Sequence, residues 1–156
     1  FDIVLSAIGI APRTDLAETM GLKINQGVVT DAYGQSSHED IYVIGDCAQV
    51  YGLNLTYVAP IKQQAKAISQ NLLGGRVAIE YPAMPVVVKM PTLPLNLVPV
   101  REVEVKGSWK VEKNDIEGIS AGFYDQEGKI KGFALVGEAT KERNNWLKKM
   151  PASIVE

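Results

Sequence analysis

The sequence predicts an α/β segment over residues 1–80, followed by a small α+β domain over residues 81–156 with an antiparallel sheet and a closing helix. Three observations predict it. Residues 3–8 and 41–44 are short, nearly unbroken apolar runs of the kind that forms strands buried on both faces, and helical signals stand between and after them. Five of the eight prolines fall between positions 82 and 99, which marks a change of texture. From there, period-2 alternation replaces helical spacing.

Gly9 closes the first run. Pro12-Arg13-Thr14 reads as a turn, with Thr14 as the N-cap of a short helix, Asp15 in its first turn and Gly21 as its stop. Leu22-Lys23-Ile24 and Val28-Val29-Thr30 flank Asn25-Gln26-Gly27, a hairpin-like reversal with Gly27 in the left-handed region. Residues 33–40 are a polar loop, and the second apolar run stops at Gly45-Asp46. From Pro60, read as the first helical position, Ile61, Ala65, Ile68 and Leu72 share one face, and Gly74-Gly75 end the helix. Beyond residue 81, segments 86–88, 95–98, 109–112, 119–124 and 130–136 read as strands, with Asp125-Gln126-Glu127-Gly128 as a tight turn. Thr140 caps a final helix that runs to about Met150 and stops at Pro151.

The 156 residues carry 16 Lys plus Arg against 18 Asp plus Glu, a net charge of −2, which gives no basis for a nucleic-acid or anionic-membrane surface. One cysteine, Cys47, excludes an internal disulfide and a dithiol redox pair, and with one histidine, His38, it does not make a zinc site. A Ser-His-Asp or Cys-His arrangement would have to use His38, which lies in the polar loop, so no catalytic residue and no metal are assigned. No apolar stretch reaches the ~18 residues of a membrane span, and no secretory signal is present. The expectation is a cytoplasmic protein. The chain opens on Phe1-Asp2-Ile3-Val4-Leu5, already within a strand-like run, and so reads as part of a larger protein. Open edges on strands 3–8 and 41–44 then predict a homodimer or larger self-association.

The segment Ser36-Ser37-His38-Glu39-Asp40-Ile41-Tyr42-Val43-Ile44-Gly45-Asp46-Cys47-Ala48 carries the chemistry. It delivers a glycine and then a carboxylate to a strand's C-terminal end, where open α/β sheets place ligands. Gly45 lets a ligand approach the backbone, and Asp46 accepts hydrogen bonds from polyol hydroxyls. The helix from Pro60 offers its N-terminus to anionic groups. On pattern alone, Asp46 serves equally as a cap for the next turn. Lys89 interrupts Val86-Val87-Val88 and Met90-Pro91 and serves equally as a strand-end lysine reaching for water. Cys47 reads as small apolar filler. Trp109 reads as core or seam packing rather than as a docking aromatic.

The strand-Gly-Asp segment resembles the second FAD-binding signature of flavoprotein reductases with two dinucleotide-binding domains. Phe1-Asp2-Ile3-Val4-Leu5-Ser6-Ala7-Ile8-Gly9-Ile10-Ala11-Pro12-Arg13 resembles their crossover from the NAD domain back to the FAD domain. Tyr81-Pro82-Ala83-Met84-Pro85-Val86-Val87-Val88-Lys89-Met90-Pro91 is similar to the rubredoxin reductase branch, which often has Thr where Met90 stands. Gly107-Ser108-Trp109 and the stretch from Gly132 to Lys141 resemble the same branch, flavorubredoxin reductases included. The likeness spans the whole chain but only the C-terminal part of such an enzyme.

The resemblance implies an NAD(P)H-dependent FAD oxidoreductase of the pyridine nucleotide-disulfide type that passes electrons to rubredoxin or a similar small iron protein. It implies that Gly9, Gly45 and Asp46 contact the cofactor and that Ile61 and Lys62 offer backbone N–H groups to the flavin edge. Lys89 then places a positive charge near the isoalloxazine. Rubredoxins are acidic as a group, so Lys141, Arg143, Lys148 and Lys149 would steer the partner. No G-x-G-x-x-G occurs in the sequence, which predicts poor FAD binding and no NADH oxidation by these residues alone. Two other readings fit: a stand-alone noncatalytic α+β module that docks proteins, and a ferredoxin- or nitrite-reductase-type NADH flavin reductase component.

Overall fold

The computed structural model describes residues 1–100 and 106–154. The chain divides into two compact units, Phe1–Glu80 and Tyr81–Glu156.

In the first unit, α1 (Asp15–Thr19) is a short helix preceded by Thr14, whose hydroxyl donates to Glu18 Oε1 at 2.6 Å rather than capping a backbone N–H. Its C-terminus closes through the Gly21 N–H on the Glu18 carbonyl and the Leu22 N–H on Ala17. The expected reversal forms with one antiparallel bridge, Ile24 to Val28. Gly27 is not left-handed there; what it supplies is room, since a Cβ would lie 2.6 Å from the Cys47 carbonyl oxygen. β1 (Val28–Val29) pairs in parallel with β2 (Ala48–Val50), and β2 pairs antiparallel with β3 (Leu53–Asn54). Tyr51 and Gly52, at φ +52° and +74°, make the two-residue turn between β2 and β3, both left-handed as a type I′ hairpin requires.

The two predicted apolar strands do not form. Residues 1–10 have no ladder and are exposed, and over 41–44 only Tyr42 is bridged, to Gln35. An apolar run specifies a need for burial, but a strand also needs a neighbour to accept its backbone hydrogen bonds. Val28 and Val29 provide that neighbour to the wholly buried Ala48–Val50 instead. The strand edges on which the homodimer was predicted are therefore absent.

α2 (Val58–Asn71) starts two residues before Pro60, because proline's missing N–H is tolerated throughout a first turn whose donors have no partners within the helix. Its buried residues are Pro60, Gln64, Ala67, Ile68 and Asn71, whereas Ala65 and Leu72 of the predicted face are exposed. Two amides thus occupy the covered side. Asn71 Nδ2 donates to the carbonyls of Tyr33 (3.0 Å) and Val77 (2.9 Å), and its Oδ1 accepts the Val77 N–H at 2.7 Å. These three bonds tie the loops on either side of the helix to its last turn.

The second unit is a five-stranded antiparallel sheet in the order β4-β5-β8-β7-β6, built from β4 (Val86–Val88), β5 (Leu95–Val98), β6 (Gly107–Asn114), β7 (Gly118–Asp125) and β8 (Ile130–Gly137). The alternation in the sequence sets its register. Val98 pairs with Phe133 and Asn96 with Leu135, so the buried side chains of β5 and β8 line one face. A 3-10 turn (Glu138–Glu142) and α3 (Arg143–Lys149) follow β8. Thr140 sits inside the 3-10 turn, its hydroxyl donating to the Gly137 carbonyl at 2.7 Å, and so does not cap α3. Trp146 and Met150 pack with Val98, Ile130, Phe133, Leu135 and Ala139, the Phe133 and Trp146 rings lying 5.7 Å apart. The larger aliphatic, Phe and Met side chains among them contribute about 1.5–3 kcal/mol each on burial.

Trp146 is therefore core, whereas Trp109 is 52% exposed, outside the core of the second unit, and stands edge-on to Phe123. Pairings through Leu97, Ala134, Ala121 and Val111 give the opposite sheet face an apolar character. The edge strand β6 carries Lys110, Glu112 and Lys113 and an irregularity between Val111 and Lys113, devices that oppose edge-to-edge pairing. Among the described residues, no helix is long and apolar enough to cross a membrane.

Candidate cofactor site

Residues 45–48 form a turn closed by the Ala48 N–H on the Gly45 carbonyl at 3.0 Å. Gly45 takes φ +89°, which disfavours any side chain, and the space a Cβ would occupy there is open. Asp46 is at the tip of this turn and is exposed. Two amides hold the turn from opposite ends. The Gly45 N–H donates to Gln64 Oε1 at 2.8 Å, and the Asp46 carbonyl accepts from Asn54 Nδ2 at 2.7 Å. Gln64, 1% exposed, reaches out from the second turn of α2, so the turn is fastened to that helix. Asn54 Nδ2 also donates to the Ala48 carbonyl at 3.0 Å, which locks it across the start of β2.

The helix supplies the second component. Tyr57, extended at φ −153°, precedes α2 without a side-chain cap. By helix geometry, the N–H groups of Val58 and Ala59 have no partner within the helix, and Pro60 has none to offer. Ile61 and Lys62 follow in the hydrogen-bonded body of the helix, with Ile61 half-buried and Lys62 exposed. The positive end of the helix thus lies at Val58 and Ala59.

Gly9, at φ +108°, belongs to the exposed segment at the start of the first unit. Lys89 belongs to the second unit; it is exposed just past β4, at the centre of a tight bend closed by the Met90 N–H on the Val88 carbonyl at 3.0 Å. Cys47 is half-buried, its Sγ 3.7 Å from the Ile44 carbonyl. His38 is exposed in the polar loop. Gln64 and Asn54 escaped the sequence reading. The one available signal was the spacing of Gln64 and Asn71, two helical turns apart on one face.

These residues fit a cofactor bearing a polyol and a negative or polarisable edge. An exposed carboxylate can only accept, which suits hydroxyl donors, while open backbone at Gly45 permits close approach. Helix-end N–H groups suit an anionic acceptor.

Residues 1–70 match the family described as pyridine nucleotide-disulphide oxidoreductase, and residues 78–150 match the rubredoxin binding C-terminal domain. A rubredoxin-NAD(+) reductase of Acinetobacter baylyi is 44% identical over 151 residues, covering 96% of this chain and 38% of that protein. A nitric oxide reductase FlRd-NAD(+) reductase of Citrobacter koseri is 39% identical, covering 97% of this chain and 40% of that protein. The chain therefore spans only 38–40% of the length of these relatives. The crystal structure of a ferredoxin reductase from Rhodopseudomonas palustris superposes with a TM-score of 0.76 at 21% identity, over 95% of this chain and 38% of that one, a likeness of fold. Residues 1–70 are thus similar to the pyridine nucleotide-disulphide oxidoreductases, and residues 78–150 to the rubredoxin binding C-terminal domains.

Proposed function

We propose that this chain is part of a flavoprotein oxidoreductase that passes electrons from NAD(P)H through FAD to rubredoxin or a similar small iron protein. The observation that carries this reading is the exposed Asp46 carboxylate on a turn whose backbone is held from both ends by Gln64 and Asn54. FAD, when bound, supplies the hydride acceptance and one-electron release that no side chain provides.

The chain's residues bind and orient. Asp46 accepts hydrogen bonds from the ribityl hydroxyls, and Gly45 admits the cofactor close to the backbone. The first turn of α2 directs its positive end, and the neighbouring Ile61 and Lys62, toward the flavin's polar edge, where negative charge is stabilised by fixed dipoles. Gly9 and Lys89 are proposed cofactor contacts on the family resemblance alone, Lys89 as a positive charge that would favour reduced flavin. The partner belongs to the second unit. Lys129, Lys131 and Lys149 line a cavity of about 560 Å³ there, with Tyr124, Ile130 and Met150, and basic side chains of this kind attract an acidic protein. The names of the relatives, which pair NAD(+) with rubredoxin or flavorubredoxin, support the same partner. A cytoplasmic setting accords with this role.

Flavin fluorescence during titration with FAD tests the reading. The expected result is weak binding that Asp46→Asn weakens further. Binding that is identical in the two proteins contradicts it.

A further inference from the structure

We infer that Gln64 is a positioning residue for the Asp46 carboxylate, acting through the Gly45 peptide rather than by touching the ligand; this rests on the flavin reading above. Gln64 is 1% exposed on the covered side of α2, a position where an apolar residue is the default, and its Oε1 accepts the Gly45 N–H at 2.8 Å. Without that acceptor, the part-buried N–H would lose its side-chain partner, a loss on the order of one hydrogen bond. Gly45 needs such a constraint, because glycine at φ +89° has wide conformational freedom and the space around it is open.

Asp46 follows directly. Peptides on either side of it are fastened, at the Gly45 N–H by Gln64 and at the Asp46 carbonyl by Asn54, which restricts the direction of its Cα–Cβ bond before any ligand arrives. A carboxylate on a backbone so held has less ordering entropy to lose on meeting a polyol, which is what preorganisation contributes to affinity. The same bond ties the Asp46 turn to α2, the helix that carries the positive end. Asn71 is the internal comparison. It is also buried on α2 and also ties loops to the helix, but its partners are Tyr33 and Val77, away from the turn.

The test uses the full chain and three variants, Gln64→Leu, Gln64→Glu and Asn71→Ala, with thermal midpoint, Gly45 amide hydrogen exchange and FAD affinity measured on each. Gln64→Leu should speed Gly45 exchange and weaken FAD binding, each by about tenfold, the worth of one such hydrogen bond. Gln64→Glu keeps an acceptor oxygen in place and should restore both toward wild type. Asn71→Ala should lower the midpoint while leaving Gly45 exchange and FAD affinity within twofold. Loss of FAD affinity in Asn71→Ala equal to that in Gln64→Leu, or unchanged affinity in Gln64→Leu, overturns the positioning role. Absence of Asp46-dependent FAD binding in the wild-type chain defeats the flavin reading itself, and the inference with it.

Discussion

The Cys47 carbonyl oxygen lies 2.6 Å from the point a Cβ on Gly27 would occupy, and the same oxygen accepts the Val28 N–H at 2.8 Å. β1 therefore meets β2 only because residue 27 has no side chain. The contact lies one residue from Asp46, and Asn54 Nδ2 stands 3.1 Å from the same phantom Cβ. Gly27→Ala must push the strand and the Asn54 amide apart. The expected cost is about 1–3 kcal/mol, measured by urea unfolding, as for other overpacked sites. FAD affinity should fall as well; an unchanged midpoint and affinity would show that the strand yields freely.

Tyr124 and Glu112 form a titrating pair on the sheet, the phenol donating to Glu112 Oε1. That bond, then burial, pushes the Tyr124 hydroxyl up to about 12 from 10.0, and the same bond, with Lys149 nearby, holds Glu112 below its usual 4.5. For Tyr124, raised in the fold, the stabilisation is complete below pH 10.0 and is lost as pH climbs through about 12. For Glu112, lowered in the fold, it is present above pH 4.5 and is lost as pH falls below that. Glu112→Gln should bring one tyrosinate transition down toward 10.0, read by ultraviolet absorbance. A high transition that persists in the variant would assign the shift to burial alone.

The partner reading predicts a site on the second unit. Adding oxidised rubredoxin to the isotope-labelled chain should shift amide signals within residues 78–150, most near Lys129, Lys131 and Lys149, and salt should weaken the effect. Shifts confined to residues 1–70, or insensitive to salt, would contradict it.

Exposed apolar residues at the start of the first unit predict self-association. Phe1, Ile3, Val4, Leu5, Ile8 and Ile10 all stand exposed, an apolar surface that water disfavours. Light scattering should find dimers or larger species that dissociate when Ile3, Leu5 and Ile8 are replaced by serine. A monodisperse monomer in the unaltered chain would sink the idea.

The second unit was largely legible because its strands alternate: residues 86–88 and 95–98 appear in the structure with the predicted bounds, 109–112 extends by two residues at each end, 119–124 by one at each end, and 130–136 by one at its C-terminal end. The first unit was harder because its order rests on partners rather than on periodicity. Residues 3–8 and 41–44 have the hydropathy of buried strands but no ladder, while Ala48–Val50, interrupted by Gln49, forms one. Gln49 is buried because its Oε1 takes the Gln26 N–H and its Nε2 reaches the Gly52 carbonyl. Buried amides of this sort, Gln64 and Asn71 among them, are invisible to any scale that equates polarity with exposure. In the candidate site the Gly45-Asp46 pair was readable, and what holds it was not.

A crystal structure of the chain with FAD at saturating concentration tests the central claim most directly. The account predicts a ribityl hydroxyl within hydrogen-bond distance of the Asp46 carboxylate, with Gly45 still bonded to Gln64. A flavin bound elsewhere on the chain, or an Asp46 carboxylate turned away from the polyol, would contradict it.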